Sequence, residues 1–272
     1  MNTHRQRLLV GLALLALIIP SVIGLPSAML NFIFALLCII AIYEWGDLVN
    51  ISSSNITRSL YRLFFVISTL AIGWWSIYYD SKIILYVGVL WWFIALTIST
   101  FYTNSLCNSI AFRGFLYVHI IIVLAACIVA VDLLHQISRL WLLYAALLVA
   151  VSDTAAYYVG RRFGKHQLAA TISAGKTKEG LWGALLATLI FSLLTGTLLL
   201  DNATVWHVLS LVLLSLIACI AGVIGDLTES MAKRCAGVKD SGRLLAGHGG
   251  LLDRIDAFIA ATPVIALGFL YR

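Results

Sequence analysis

The chain has 272 residues, of which 62% are hydrophobic and only 11% are charged, and its net charge is +6. A soluble domain of this length carries roughly a quarter charged residues, so the composition excludes an ordinary water-soluble protein and makes lipid the solvent for most of the surface. We expect one transmembrane domain over residues 1–272, with membrane lipids as its surroundings and no nucleic-acid partner.

Apolar runs, taken in chain order, predict an all-α, polytopic integral membrane protein with about nine transmembrane helices. A spanning helix needs about 20 mostly apolar residues. The run that follows Arg5 and Arg7 is typical of a secretory signal, but it shows no evident small-residue cleavage site, so we expect a retained first helix. The predicted spans are 8–24, 27–45, 60–79, 82–101, 114–133, 139–159, 181–200, 207–226 and 254–271.

Basic residues predict the orientation of these helices. If the N-terminus lies in the cytoplasm, 15 of the 18 Lys and Arg residues fall on the inner side, and only Lys82, Arg139 and Arg272 fall on the outer side. Lys and Arg concentrate in cytoplasmic loops. The sequence therefore predicts a multi-pass protein of the inner (cytoplasmic) membrane with a cytoplasmic N-terminus.

The five cysteines are scattered, and no pair has the spacing of a metal site. Four of them lie in or next to apolar runs. We expect small buried hydrophobic side chains, with neither a disulfide framework nor a zinc site, at Cys38, Cys107, Cys127, Cys219 and Cys235.

The two halves of the chain differ in polarity. Residues 1–140 form an apolar helical scaffold, in which ionisable residues lie mostly at helix ends. Residues 141–272 contain two inner segments that are dense in charge and glycine, 153–180 and 225–256. We therefore expect the active site in the second half, at the cytoplasmic interface.

Carboxylates at two helix ends predict a cation site. Asp226 ends one apolar run and Asp253 begins the next, and carboxylates at the membrane boundary are costly unless they are paired, hydrated or bound to a cation. If the eighth helix continues past Asp226, then Glu229 and Ser230 lie on the same face. Mg²⁺ is usually held by one or two carboxylates together with phosphate oxygens.

Glycines around His248 predict a close approach of the backbone to a ligand, although they are also compatible with simple turns. The ninth predicted helix begins just after them, and helix N-termini favour anions. Basic residues beside helix ends have an alternative role as topology determinants and headgroup contacts. The glycines are Gly242, Gly247, Gly249 and Gly250.

These motifs closely resemble the signature of the phosphatidate cytidylyltransferase (CDP-diacylglycerol synthase) family. The resemblance covers about the last 120 residues, whereas the first 140 match only in being apolar. It is carried by the ordered segments Ser152–Tyr157, Gly160–His166, Ser230–Arg234, Lys239–Ser241, His248–Gly250 and Asp253–Asp256.

The resemblance implies transfer of CMP from CTP to phosphatidic acid, which gives CDP-diacylglycerol and pyrophosphate in phospholipid biosynthesis. It implies Mg²⁺ as cofactor, with a second cation left open. The implied catalytic residues are Asp226, Asp253, Lys239 and His248. The implied substrate-binding residues are Lys176, Ser230, Lys233, Arg234, Ser241 and Arg254. The implied metal ligands are Asp226 and Asp253, followed by Asp153, Asp240 and Asp256.

Departures from the family pattern leave alternatives open. Ala174, Gly175 and Lys178 stand where Pro, Lys and Trp are usual, and Ala246 stands where Pro is common. A related CTP-dependent lipid-head enzyme, such as a polyprenol-type kinase or a CDP-archaeol synthase, is the first alternative. A transporter is the second, although transporters place their polar groups near the midplane of the membrane. Acyl-chain preference and oligomeric state, including a homodimer, stay open.

Overall fold

The computed structural model describes residues 19–49, 55–200, 204–242 and 249–270. Residues 19–24 are helical and are named α1 here. A five-residue 3-10 helix, Asn104–Asn108, precedes α5. The remaining helices are α2 (Ser27–Leu48), α3 (Asn55–Tyr78), α4 (Ile83–Thr100), α5 (Ile110–Ile137), α6 (Arg139–Phe163), α7 (Lys178–Leu199), α8 (Val205–Cys235) and α9 (Leu252–Phe269).

The prediction of a polytopic helical membrane protein is confirmed. Seven helices of the described chain, α2 to α8, are long and apolar enough to cross a membrane. The helix α9 is not among them, because its 18 residues include the charged side chains of Asp253, Arg254 and Asp256. Most of the first predicted span, 8–24, lies outside the described residues. The described structure therefore supports seven spans, and the predicted count of nine is not confirmed.

The central helix of the bundle is α5. Its segment from Val123 to Val131 is almost completely buried, and α2, α3, α4, α6 and α9 all pack against it. A helix that is apolar all round belongs in such an interior position. This explains why the α5 sequence has no polar stripe. The helix α3 is less buried than α5 and exposes large apolar side chains.

A β-hairpin between α6 and α7 is the exception to the all-α prediction. Its strands, β1 (Gln167–Ala169) and β2 (Ser173–Thr177), are antiparallel. The Glu179 carboxylate holds the hairpin to the end of α6, since it accepts hydrogen bonds from the backbone N–H groups of Lys165 and His166 at 3.1 and 3.2 Å. Thr177 then caps α7 by accepting from the N–H of Gly180. Lys176, one residue earlier, is fixed at the end of β2.

The helix α8 continues past Asp226, as the spacing of its polar residues required. It ends at Cys235. Beyond Asp226 the helix is polar on one face, and Glu229 and Lys233 form an ion pair across one turn, which stabilises a helix locally. Hydropathy alone ended the predicted span at residue 226.

The cysteine expectation is wrong for one pair. Cys107, in the 3-10 helix, and Cys235, at the end of α8, form a disulfide across 128 residues of sequence. Their partnership depends on the packing of distant segments, which sequence spacing does not reveal. Cys38, Cys127 and Cys219 are buried and free, as expected.

A buried polar cluster joins the first turns of α2 to the last turns of α5. The carboxylate of Asp132 accepts hydrogen bonds from the amide of Asn31 at 2.6 Å and from the amide of Gln136 at 2.7 Å. Asp132 is 6% exposed. The cluster satisfies a buried carboxylate within the helix interface.

Candidate active site

Three carboxylates from two helices meet at one point of the described structure. Asp226 and Glu229 lie one turn apart on α8, and Asp256 lies on the first turns of α9. One ligand oxygen from each lies within 4.8 Å of the others. Carboxylate oxygens gathered in this way match the ligands that Mg²⁺ and other hard cations prefer.

The crossing of α8 and α9 creates this arrangement. Gly225 faces the backbone carbonyl of Asp256, and a Cβ at position 225 would come within 2.8 Å of that oxygen and of the Ala260 Cβ. Gly222 packs against Ala257 in the same way. Small residues let two membrane helices approach closely. As a result, the residues that follow Gly225 on α8 lie directly beside Asp256.

Glu229 has an oxygen without a partner. The residue is 2% exposed, and one of its oxygens is bonded to Lys233. The other, Oε1, is buried and accepts no hydrogen bond within the described chain. A buried carboxylate oxygen that lacks a partner is costly, and a bound cation would satisfy it. The donor set therefore fits a metal ion.

Two lysines lie against these carboxylates. The Nζ of Lys176, on β2, is 2.5 Å from the Oδ2 of Asp226. The Nζ of Lys233 lies 2.9 Å from Glu229 and 2.6 Å from Asp253. The hairpin and α8 thus bring two ammonium groups to the acidic cluster.

Asp253 uses both of its oxygens within the protein. Its Oδ1 accepts from Lys233, and its Oδ2 accepts from the N–H of Ser241 at 2.9 Å, the Ser241 hydroxyl at 3.0 Å and the N–H of Gly250 at 2.8 Å. Burial would raise the pKa of this carboxyl, but the hydrogen bonds from Lys233, Gly250 and Ser241 lower the pKa below its ordinary value. Asp253 is therefore an ionised link between the acidic cluster and the loop before α9.

Asp256 lies in a different electrostatic environment. Its oxygens face the carboxylates of Asp226 and Glu229, and the carboxylate of Asp153 lines the same cavity. Like charges gathered in one place repel each other, and the repulsion is relieved when a cation joins the carboxylates. A bound cation would therefore relieve the repulsion around Asp256.

A cavity of about 330 Å³ connects these groups. Five carboxylates and two ammonium groups face it, so its ionised side chains carry an excess of negative charge that a cation would offset. The residues that line it come from α6, the hairpin, α7, α8 and α9. They are Asp153, Ala156, Tyr157, Leu168, Gly175, Lys176, Thr177, Gly180, Leu181, Gly222, Val223, Asp226, Glu229, Lys233, Asp253 and Asp256.

Six of the predicted site residues line this cavity, and the other predicted residues that the structure describes do not. The hydroxyl of Ser230 donates to Asp226 at 3.4 Å, and Ser241 is buried behind Asp253. Arg234 donates to the backbone carbonyl of Ile172 at 2.9 Å, which ties α8 to the hairpin. Lys239, Asp240 and Arg254 are exposed and do not line the cavity. His248 lies outside the described residues.

Two acidic residues of the site were not among the predicted site residues. The sequence indicates Glu229 only by its helical spacing from Asp226. Glu44, on α2, came from the half of the chain predicted to be a scaffold. Its carboxylate accepts hydrogen bonds from the backbone N–H groups of Leu251 and Leu252 at 2.9 and 2.8 Å. These two N–H groups at the start of α9 thus bind a protein carboxylate, although an anionic ligand was expected there.

The fold and the cavity define a multi-pass membrane protein whose polar site, at one end of its helices, can bind a cation and an anion together. The chain belongs to the cytidylyltransferase family, whose family model matches residues 5–271.

Curated relatives match about half of this chain. Phosphatidate cytidylyltransferase of Staphylococcus haemolyticus is 46% identical over 125 residues, which are 46% of this chain and 47% of that protein. Phosphatidate cytidylyltransferase of Haemophilus influenzae is 42% identical over 135 residues, or 48% of this chain and 46% of that protein. The chain thus spans about half the length of the curated relatives it matches.

Proposed function

We propose that this protein transfers CMP from CTP to phosphatidic acid, with CDP-diacylglycerol and pyrophosphate as products. The observation that carries the proposal is the cavity in which Asp226, Glu229 and Asp256 converge beside Lys176 and Lys233. The names of the two relatives supply the substrate class. A site at the ends of membrane helices suits one substrate that stays in the bilayer and another that arrives from water.

The cation we assign to the site is Mg²⁺, held by Asp226, Glu229 and Asp256. When bound, it neutralises charge on the triphosphate and on the departing pyrophosphate. The unpartnered Oε1 of Glu229 and the excess of carboxylates support this assignment. Asp153 lines the same cavity and is the carboxylate available to a second cation.

The lysines change partners in this proposal. In the structure their ammonium groups neutralise the carboxylates of Asp226, Glu229 and Asp253. Once Asp226 and Glu229 hold a cation, Lys176 and Lys233 are free to donate to phosphate oxygens, because an ammonium group binds phosphate strongly as a point charge. Lys233 keeps its hydrogen bond to Asp253 and is positioned by it. The same two side chains thus contact both the carboxylates of the cluster and the phosphates of the substrate.

The chemistry is a single displacement. A phosphate oxygen of phosphatidic acid attacks the α-phosphorus of CTP and forms a new P–O–P bond. The bond between the α-phosphorus and the bridging oxygen to the β-phosphorus breaks, and its electron pair leaves with pyrophosphate. The reaction needs no covalent enzyme intermediate, since phosphoryl transfer is catalysed mainly by positioning and charge stabilisation.

The orientation we propose places the cavity at the cytoplasmic face of the inner membrane. The predicted inner ends of α6, α8 and α9 meet at the cavity, together with the hairpin. Most of the Lys and Arg residues belong to these inner ends and loops. Cytosolic CTP would then enter from the water side while the acyl chains of phosphatidic acid stay in the bilayer.

The test uses purified protein in lipid nanodiscs with phosphatidic acid, Mg²⁺ and CTP labelled at either the α- or the γ-phosphate. We expect α-label in a lipid product that mass spectrometry identifies as CDP-diacylglycerol, and γ-label in pyrophosphate. γ-Label in the lipid would indicate a kinase and would overturn the proposal. α-Label only with an ether-linked archaeal lipid acceptor would indicate a CDP-archaeol synthase.

A further inference from the structure

Glu44 is a buried carboxylate in a mostly apolar helix. It lies in the last turns of α2 and is 8% exposed. A charged side chain in such a place is costly unless it is hydrogen-bonded. Its partners therefore indicate why a carboxylate is tolerated there.

The carboxylate of Glu44 caps α9 from another helix. The first N–H groups of a helix have no partner within the helix. The N-cap residue of α9 is Leu251, whose own apolar side chain cannot accept a hydrogen bond from them. Glu44 Oε1 accepts from the N–H of Leu251 at 2.9 Å, and Oε2 accepts from the N–H of Leu252 at 2.8 Å. The start of α9 is thus held by a residue more than 200 positions earlier in the chain.

Ser241 connects Glu44 to the cavity. Its hydroxyl oxygen lies 3.1 Å from Glu44 Oε2 and 3.0 Å from Asp253 Oδ2. A hydroxyl has one proton to donate, so the two carboxylates share it. Asp253 in turn holds Lys233 at the edge of the acidic cluster.

Two glycines make room for this carboxylate. A Cβ at Gly242 or at Gly250 would collide with the carboxylate oxygens of Glu44, and at Gly250 it would also collide with the hydroxyl of Ser241. The close approach of the loop to Glu44 is therefore built into the sequence on both sides of the 243–248 segment.

We propose that Glu44 is a positioning residue for the cytidylyl transfer. It fixes the first turn of α9 and the Ser241 hydroxyl, and thereby sets where Asp253 and Lys233 stand in the cavity. The inference rests on the proposed function in one respect only, namely that cytidylyl transfer is the reaction whose rate is measured. A displacement of catalytic groups by about 1 Å costs up to about a hundredfold in rate.

The test compares Glu44→Gln with Asp132→Asn, which also neutralises a buried carboxylate but lies in the α2–α5 cluster away from the cavity. The glutamine side chain has one acceptor oxygen where the carboxylate has two, so one α9 N–H group loses its partner. We expect kcat to fall at least about tenfold for Glu44→Gln. For Asp132→Asn we expect a lower Tm and a kcat per folded protein within about twofold of the wild type.

A double-variant cycle distinguishes positioning from loss of fold. If Glu44 acts through Asp253, the combined Glu44→Gln and Asp253→Asn protein is about as slow as Asp253→Asn alone, because the two losses share one cause. Multiplied losses would overturn the proposal, and so would a kcat unchanged by Glu44→Gln.

A binding measurement keeps the inference testable if the wild type does not turn over phosphatidic acid, the result that refutes the proposed function. Its readout is the rise in Tm that CTP and Mg²⁺ produce. A smaller rise for Glu44→Gln than for Asp132→Asn supports the positioning role. An equal rise contradicts it.

Discussion

The substitution Asp253→Asn changes one oxygen of a side chain that lies between a lysine and a loop. The Asn side-chain oxygen still accepts the hydrogen bonds from Ser241 and Gly250 that Oδ2 accepts now. Its amide NH₂ then faces the ammonium group of Lys233, which now lies 2.6 Å from Oδ1. The loop is retained, whereas the lysine loses one of its two carboxylate partners and keeps Glu229. The cavity loses one negative charge.

The size of the effect follows from these contacts. A hydrogen bond to a charged group contributes about 1.5–3 kcal/mol, which corresponds to roughly 10- to 100-fold in rate if Lys233 must be held in place for the reaction. The weaker neutralisation of the transition state adds to this, since one lost electrostatic contact typically costs about 10²–10³ in rate. We expect at least about a hundredfold loss of turnover per folded protein. Tm should fall by roughly 3–10 °C, since the lost hydrogen bond also stabilises the fold.

The assay measures kcat and Tm on the same detergent-purified samples over a range of Mg²⁺ concentrations. Asp80→Asn is the matched control, because Asp80 is 86% exposed beside Lys82 on the opposite side of the predicted membrane. Partial recovery of Asp253→Asn at high Mg²⁺ would show that Asp253 acts on the cation, as the sequence predicted. No recovery would show that it acts through Lys233. Near-normal turnover in a folded Asp253→Asn protein would refute both roles.

Three further results are expected. Glu229→Gln should raise the Mg²⁺ concentration for half-maximal turnover by about tenfold or more, because the buried oxygen without a partner is the proposed cation ligand, and an unchanged Mg²⁺ titration would contradict this. Exhaustive chelation should abolish turnover and added Mg²⁺ should restore it, whereas activity in the chelated sample would exclude a metal site. After treatment with a membrane-permeant reductant, an impermeant thiol reagent should label Cys107 and Cys235 in inverted vesicles only, and labelling in intact cells would reverse the proposed orientation.

Most of the helices were predictable because lipid imposes a strict pattern on the sequence. The predicted spans 27–45 and 82–101 differ from α2 and α4 by at most three residues at either end. Larger errors occurred where charged residues belong to a helix, as at Arg58 in the first turn of α3 and along the last turns of α8. Hydropathy ends a span at the first charge, whereas the backbone continues the helix.

The site was predictable only in part. Asp226, Asp253 and Lys233 could be found because they lie within one short motif at two helix ends. Glu44 could not, since its partners are backbone N–H groups more than 200 residues away and an isolated acid at a helix end also suits the membrane interface. The hairpin that carries Lys176 could not be predicted from an alternation of polar and apolar residues either, because β1 has only three residues.

The fit between Glu44 and two glycines limits how this protein can vary. Each of the three positions constrains the others, since the carboxylate occupies the space that side chains at Gly242 and Gly250 would need. A family member that replaced Glu44 with a smaller apolar residue would remove the obstacle to alanine at position 242, whereas at position 250 the hydroxyl of Ser241 would also have to move. It would need another acceptor for the start of α9. These three positions are therefore expected to change together in evolution, although the two glycines lie far from Glu44 in the sequence.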